Sequence, residues 1–112
     1  MGEMVLRFVE GTVCVNTGGI VYIESYRHRI VFHMTDGIYH IYKPLGEIED
    51  MLGTDDFIRI HKSYIIGLRY VRAVSGYRLT LEDGTVLPVP KGRYKEVKSR
   101  IVRQTARTIS CI

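Results

Sequence analysis

Two Asp-Gly pairs restrict what this chain can fold into more than any other feature. Asp36-Gly37 separates the strand-like runs 29–34 and 37–42, and Asp83-Gly84 separates 77–81 from 85–89. A tight turn between antiparallel neighbours needs positive φ, which glycine adopts without a Cβ clash. Each pair therefore predicts a β-hairpin. Ahead of the second turn, Tyr77, Leu79 and Leu81 fall on one face and Arg78 and Thr80 on the other. That period of two marks a half-buried antiparallel strand. Further runs lie at 4–9, 12–15 and 20–23, the last behind the turn signal Thr17-Gly18-Gly19. About eight or nine short strands are expected.

Helix signals are few. Pro44 can open a helix at its first turn, Leu45, Ile48 and Leu52 recur at near-helical spacing, and Gly53 stops it. A second helix is predicted over 93–102, with Tyr94, Val97 and Ile101 as its apolar stripe and Lys95, Lys98 and Arg100 outside. The expected fold class is mostly β with two short helices. The main body spans 4–103, and 104–112 form a flexible C-terminal tail. No two adjacent amphipathic helices form a helix-turn-helix. Any DNA contact would come from loops or strands.

With 112 residues the chain fits one domain and can bury a core without disulfides or metal. It has no run of about 18 apolar residues that could span a membrane. The opening Met1-Gly2-Glu3-Met4 carries an acid and leads into a strand-like run, unlike a secretory signal. Cys14 and Cys111 have no framework spacing and read as free thiols in a reducing cytosol. His28, His33, His40 and His61 share no tight ligand spacing with cysteine or carboxylate, so neither metal nor cofactor is expected. Nucleophile-elbow, phosphate-loop and zinc-protease signatures are missing, which argues against an enzyme.

Charge is divided unevenly. Residues 1–56 hold four bases and nine acids, a net −5; residues 57–112 hold twelve bases and three acids, a net +9. A basic half suggests a polyanionic partner, with a solvated helix and a basic tail as the plain alternative. Three polar segments could meet such a partner. Ser25-Tyr26-Arg27-His28-Arg29 carries two guanidiniums and an imidazole, suited to phosphates and to guanine edges. His61-Lys62-Ser63-Tyr64 offers an ammonium and two hydroxyls, with His61 expected to bond backbone inside the fold. Lys91-Gly92-Arg93, with Lys95 behind it, opens the second helix, where backbone N–H groups favour phosphate. Arg69 and Arg72 could flank that surface or be solvated strand charges.

Five blocks resemble the LytTR family of bacterial regulator output domains. They are Ile20-Val21-Tyr22-Ile23-Glu24-Ser25; Leu45-Gly46-Glu47-Ile48-Glu49-Asp50-Met51-Leu52; Phe57-Ile58-Arg59-Ile60-His61-Lys62-Ser63-Tyr64-Ile65-Ile66; Leu81-Glu82-Asp83-Gly84-Thr85-Val86-Leu87-Pro88-Val89; and Tyr94-Lys95-Glu96-Val97. They stand in the family's order. Two positions depart from it. Gly67 stands where asparagine is usual, and Pro90-Lys91-Gly92-Arg93 replaces serine followed by two basic residues, with Gly92 in place of a base-reading arginine.

The resemblance implies elongated antiparallel β-sheets and loops that enter successive major grooves of direct-repeat promoter sites. It implies base contact by His28 and Lys62. It further implies double-stranded promoter DNA as partner, a second copy on the repeat, and a fused or separate receiver domain of a two-component system, all in the cytoplasm. No receiver sequence is present, so the resemblance implies an isolated output domain or a stand-alone regulator. The alternative is a β-rich protein-interaction module using a basic face. An RNA reader fits less well, because Tyr26, Tyr64, Tyr77 and Tyr94 are scattered rather than interleaved with bases.

Overall fold

Alternating apolar and polar residues resolve into ten strands and two helices in the computed structural model, which describes residues 2–108 and side chains as far as Gln104. In chain order these are β1 (Glu3–Phe8), β2 (Gly11–Asn16), β3 (Ile20–Tyr26), β4 (Arg29–Met34) and β5 (Gly37–Ile41). Then come α1 (Leu45–Leu52), β6 (Phe57–His61), β7 (Tyr64–Gly67), β8 (Val71–Ser75), β9 (Arg78–Leu81), β10 (Val86–Pro88) and α2 (Lys91–Thr108). Single 3-10 turns at Thr17–Gly19 and Leu68–Tyr70 lead into β3 and β8. The mostly β, antiparallel architecture with two helices is as expected.

Three antiparallel sheets result. β1 and β2 form a hairpin, β5-β4-β3-β7-β6 form the central sheet, and β10-β9-β8 form the third. The central sheet divides the core. Ile23 and Ile65 face a cluster with Leu6, Phe8, Val15 and the α1 residues Leu45 and Ile48. Ile60 and Ile66 face a second cluster with Leu79, Leu81, Leu87 and Val97 of α2. Adjacent Ile65 and Ile66 are both buried because β7 is covered on both faces. Removing a fully buried side chain such as Leu79 from water contributes roughly 1.5–3 kcal/mol.

Both Asp-Gly hairpins form. In the second, Gly84 takes φ +93 and the Thr85 N–H donates to Asp83 Oδ1 at 2.9 Å, which lowers that carboxyl's pKa. Four details differ from expectation. β8 carries no strong alternation in sequence and forms as the partner of β9. Tyr77 is not a strand residue but the second residue of the Gly76-Tyr77 turn. α2 starts two residues earlier than expected and runs past 102 to Thr108, since no glycine or proline stops it. Residues 104–108 of the expected tail are thus helical, while 109–112, with Cys111, lie outside the described residues. Arg100 does not stay out. Its guanidinium donates to the Thr54 and Asp55 carbonyls and ties α2 to the segment before β6.

Candidate nucleic-acid interface

Strand register decides where the polar turns emerge. β3 and β4 pair as far as Tyr26 opposite Arg29, leaving Arg27-His28 as a two-residue turn. β6 and β7 pair as far as His61 opposite Tyr64, leaving Lys62-Ser63 as another. β3 runs antiparallel to β7 with Glu24 opposite Tyr64. Both turns therefore leave the same end of the central sheet, two strand spacings or about 10 Å apart. The Ser25 N–H donates to the Ser63 carbonyl at 2.8 Å and joins them.

The Lys62-Ser63 turn is held from beneath by Arg59. Its guanidinium donates to the Lys62 carbonyl at 2.7 Å and to the His61 carbonyl at 3.3 Å, and pairs with Glu49 of α1 at 3.2 Å. His61 Nδ1 accepts the Ser63 N–H at 3.0 Å. Burial, and then Lys62, Arg93 and Arg59, lower the His61 pKa, so the ring is neutral at pH 7 and free to accept. This is the structural role expected of it. Lys62 is exposed, and Ser63 is half-buried. The Tyr64 ring packs against the second core cluster, so only its hydroxyl could reach a phosphate.

The start of α2 joins the same end. Arg93 Nη1 donates to the Arg59 carbonyl at 3.2 Å, and the side chain is half-buried. One donor of Arg93 thus fastens α2 to β6, leaving the rest of its five N–H groups. Lys91, Gly92 and Lys95 are exposed. A Cβ at Gly92 would meet nothing within 4 Å, whereas one at Gly67 would lie 2.7 Å from the Ile20 carbonyl. The two departures from the family pattern therefore have different meanings. Gly67 is required by packing, and Gly92 leaves an open position.

Arg27, His28 and Arg29 are exposed at the first turn, with the Arg27 guanidinium 5.5 Å from the Tyr26 ring centre. Lys43 lines a cleft with Arg27 and His28 just ahead of α1. Sequence reading missed Lys43, the scaffold role of Arg59, and Tyr77, which stands beside Lys91. Only Arg59 had a signal, its place in the block at 57–66. Arg69 does not flank this surface. It donates to the Gly18 carbonyl at 3.4 Å, at the opposite end of β3. Asp36 and the Asp55-Asp56 pair also stand at that opposite end.

The other histidines are dispersed. His33 bonds Glu24 at 2.7 Å and stacks on Tyr22, and His40 pairs with Glu10, lowering that carboxyl's pKa. Among the described residues no three His, Cys, Asp or Glu side chains are grouped to hold a metal ion. None of the helices among the described residues is long and apolar enough to cross a membrane. Cys14 is exposed and free.

Comparison with known proteins agrees with this architecture. A solved LytTr DNA-binding domain of a response regulator from Bacillus cereus superposes with a TM-score of 0.74, covering 91% of this chain and 97% of that one at 20% identity. The CO-responsive transcriptional regulator RcoM of Rhodospirillum rubrum is 37% identical over 97 residues, 81% of this chain and 40% of that protein. The sensory transduction protein LytT of Bacillus subtilis is 30% identical over 101 residues, 86% of this chain and 42% of that protein. The chain thus spans about two fifths of the length of these relatives. The family model of the LytTr DNA-binding domain matches residues 10–102, and the chain belongs to that family.

Proposed function

We propose that this domain binds double-stranded promoter DNA in a sequence-specific way, as the output module of a bacterial transcriptional regulator. The observation that carries the reading is the convergence of three polar segments, distant in sequence, on one basic end. Ser25 bonds Ser63, Arg59 bonds Lys62, and Arg93 bonds Arg59, so the segments form one connected ridge. Such a ridge suits a duplex, whose phosphates attract the basic side chains and whose major groove offers base edges to the tips.

His28 and Lys62, at the two hairpin tips, read base edges. Arg27, Arg29, Ser63, the Tyr64 hydroxyl, Lys91, Arg93, Lys95 and the open backbone at Gly92 contact phosphates. The Arg27-His28 turn and the start of α2 are the outermost segments of this ridge and meet successive major grooves, with the Lys62-Ser63 turn between them. Two copies would then occupy a direct repeat. In the cell a receiver domain, fused or separate, would control occupancy in the cytoplasm.

A duplex selected from a random library, then titrated against random duplex, single-stranded DNA and RNA, tests the reading. A preference for the selected duplex over all three is expected. Equal binding to single strands or RNA, or no binding to duplex, would overturn it.

A further inference from the structure

The β8–β9 turn contains a costly residue choice. Gly76 and Tyr77 have φ +60 and +62, so both central positions of the turn are left-handed. Glycine, asparagine or aspartate suit such a site, whereas a bulky ring there is strained. Burial does not offset this, because Tyr77 is 47% exposed. Strain retained at an exposed position points to use.

Its neighbours indicate what that use is. The Tyr77 ring lies 4.7 Å from the Tyr94 ring of α2, and the Lys91 ammonium sits 5.9 Å from its centre. The Val89 N–H donates to the Tyr77 carbonyl at 2.9 Å and fixes the turn against the approach to α2. The Tyr77 hydroxyl makes no hydrogen bond among the described residues. The hydroxyl on the Tyr77 ring and the Lys91 ammonium near its face give a neutral and a charged donor on neighbouring side chains. Two residues beyond Lys91, Arg93 connects to Arg59 and so to Lys62. The turn therefore continues the basic ridge on its far side.

We infer that the β8–β9 turn is a further DNA-backbone contact, in which the Tyr77 hydroxyl and the Lys91 ammonium take one phosphate beside the start of α2. The inference rests on the duplex-binding reading above and adds Tyr77 to it. The phosphate oxygens accept from both groups, and the ring positions the ammonium through its negative face. The contact follows the backbone, so it strengthens binding without reading sequence.

The test uses the intact chain, the selected duplex and a random duplex of equal length across a salt series. Wild type is compared with Tyr77→Phe, Tyr77→Gly, Lys91→Ala and the Tyr77→Gly/Lys91→Ala double variant. Urea unfolding is followed in parallel. Tyr77→Phe keeps the ring and should leave the unfolding midpoint and salt slope unchanged, yet weaken both duplexes alike by about three- to tenfold. Tyr77→Gly should weaken them further, and its effect should add less than fully to that of Lys91→Ala, since the ring acts partly through the ammonium. If Tyr77→Phe binds like wild type, Tyr77 serves only to pack α2 and the inference is overturned. Weakening of the selected duplex alone would also overturn it, because that is base reading. Wild type that binds duplex normally beside an unaffected Phe variant removes this inference only; wild type that binds no duplex removes the whole reading.

Discussion

Lys62-Ser63 and Arg27-His28 are both two-residue turns at one end of one sheet, and they are held differently. The first has its carbonyls taken by Arg59 and by the Ser25 N–H, and its Ser63 N–H taken by neutral His61. The second has no such support. Neither Arg27 nor His28 makes a side-chain hydrogen bond or ion pair among the described residues, and Arg27 sits at φ +58. A turn fixed beforehand loses little freedom on binding, while an unsupported one must be ordered by its ligand. The contrast teaches that equal exposure does not mean equal suitability for reading. Lys62 is presented by a rigid platform, and Arg27 is an adaptable charge.

Removing the platform should have the largest effect. Arg59→Ala deletes the donors to Lys62 and His61 and the pair with Glu49. Charged hydrogen bonds of this kind contribute roughly 1.5–3 kcal/mol, so urea unfolding should show a loss of about that size. The preference for the selected duplex should fall with it. An unchanged midpoint would erase the distinction between the two turns.

Next comes the division between reading and anchoring. Lys62→Ala should cost roughly 1–3 kcal/mol on the selected duplex and relax preference at one base pair, with little change on random DNA. Lys91→Ala should weaken both duplexes together and flatten the log–log salt slope by about 0.9. Titration of both variants on both duplexes would expose a reversed assignment at once.

Arg27→Gly probes the unsupported turn and should produce a smaller, opposite pair of effects. Relief of the left-handed conformation should raise stability by about 1 kcal/mol at most. Loss of the guanidinium should reduce the salt slope by about 0.9. A variant less stable than wild type would mean that the Arg27 contact with Tyr26 outweighs the strain.

The smallest effect is a pH dependence of the supported turn. The folded state lowers the His61 pKa below its ordinary 6.5, so the unfolded chain binds the proton more readily. This stabilisation is fully present above pH ~6.5 and is lost as pH falls through the folded value. Unfolding midpoints measured from pH 7 downward should decline more steeply in wild type than in His61→Ala. Parallel profiles would show that the Ser63 bond to His61 does not depend on the neutral ring.

Several of these features were legible in the residues. The two Asp-Gly turns, the Leu45-Ile48-Leu52 stripe and the block at 57–66 locate hairpins, α1 and the Lys62 turn, because local periodicity and turn chemistry act over a few residues. Tyr77 was misread as a strand residue. Its alternation with Leu79 and Leu81 is real, but the register of β8 against β9 ends the ladder at Arg78. Lys43 carried no local signal, since its place beside Arg27 depends on how α1 enters after β5. Arg69 and Lys91 look alike in sequence as exposed bases, yet the fold sends them to different ends.

By itself, then, the sequence determined the family, the antiparallel β class, the unequal charge of the two halves and the identity of the three polar segments. Each follows from short-range pattern, composition or motif order. Only the tertiary structure decided that those segments share one end, that Arg59 supports Lys62, and that Arg93 is partly committed to the fold. It also decided that Gly67 is required where the Ile20 carbonyl passes, while Gly92 faces open space. The physical reason is that these facts depend on which strands pair and in what register. Antiparallel pairing of β3 with β7 brings residues 25 and 63 within one hydrogen bond, across a separation that no local pattern spans.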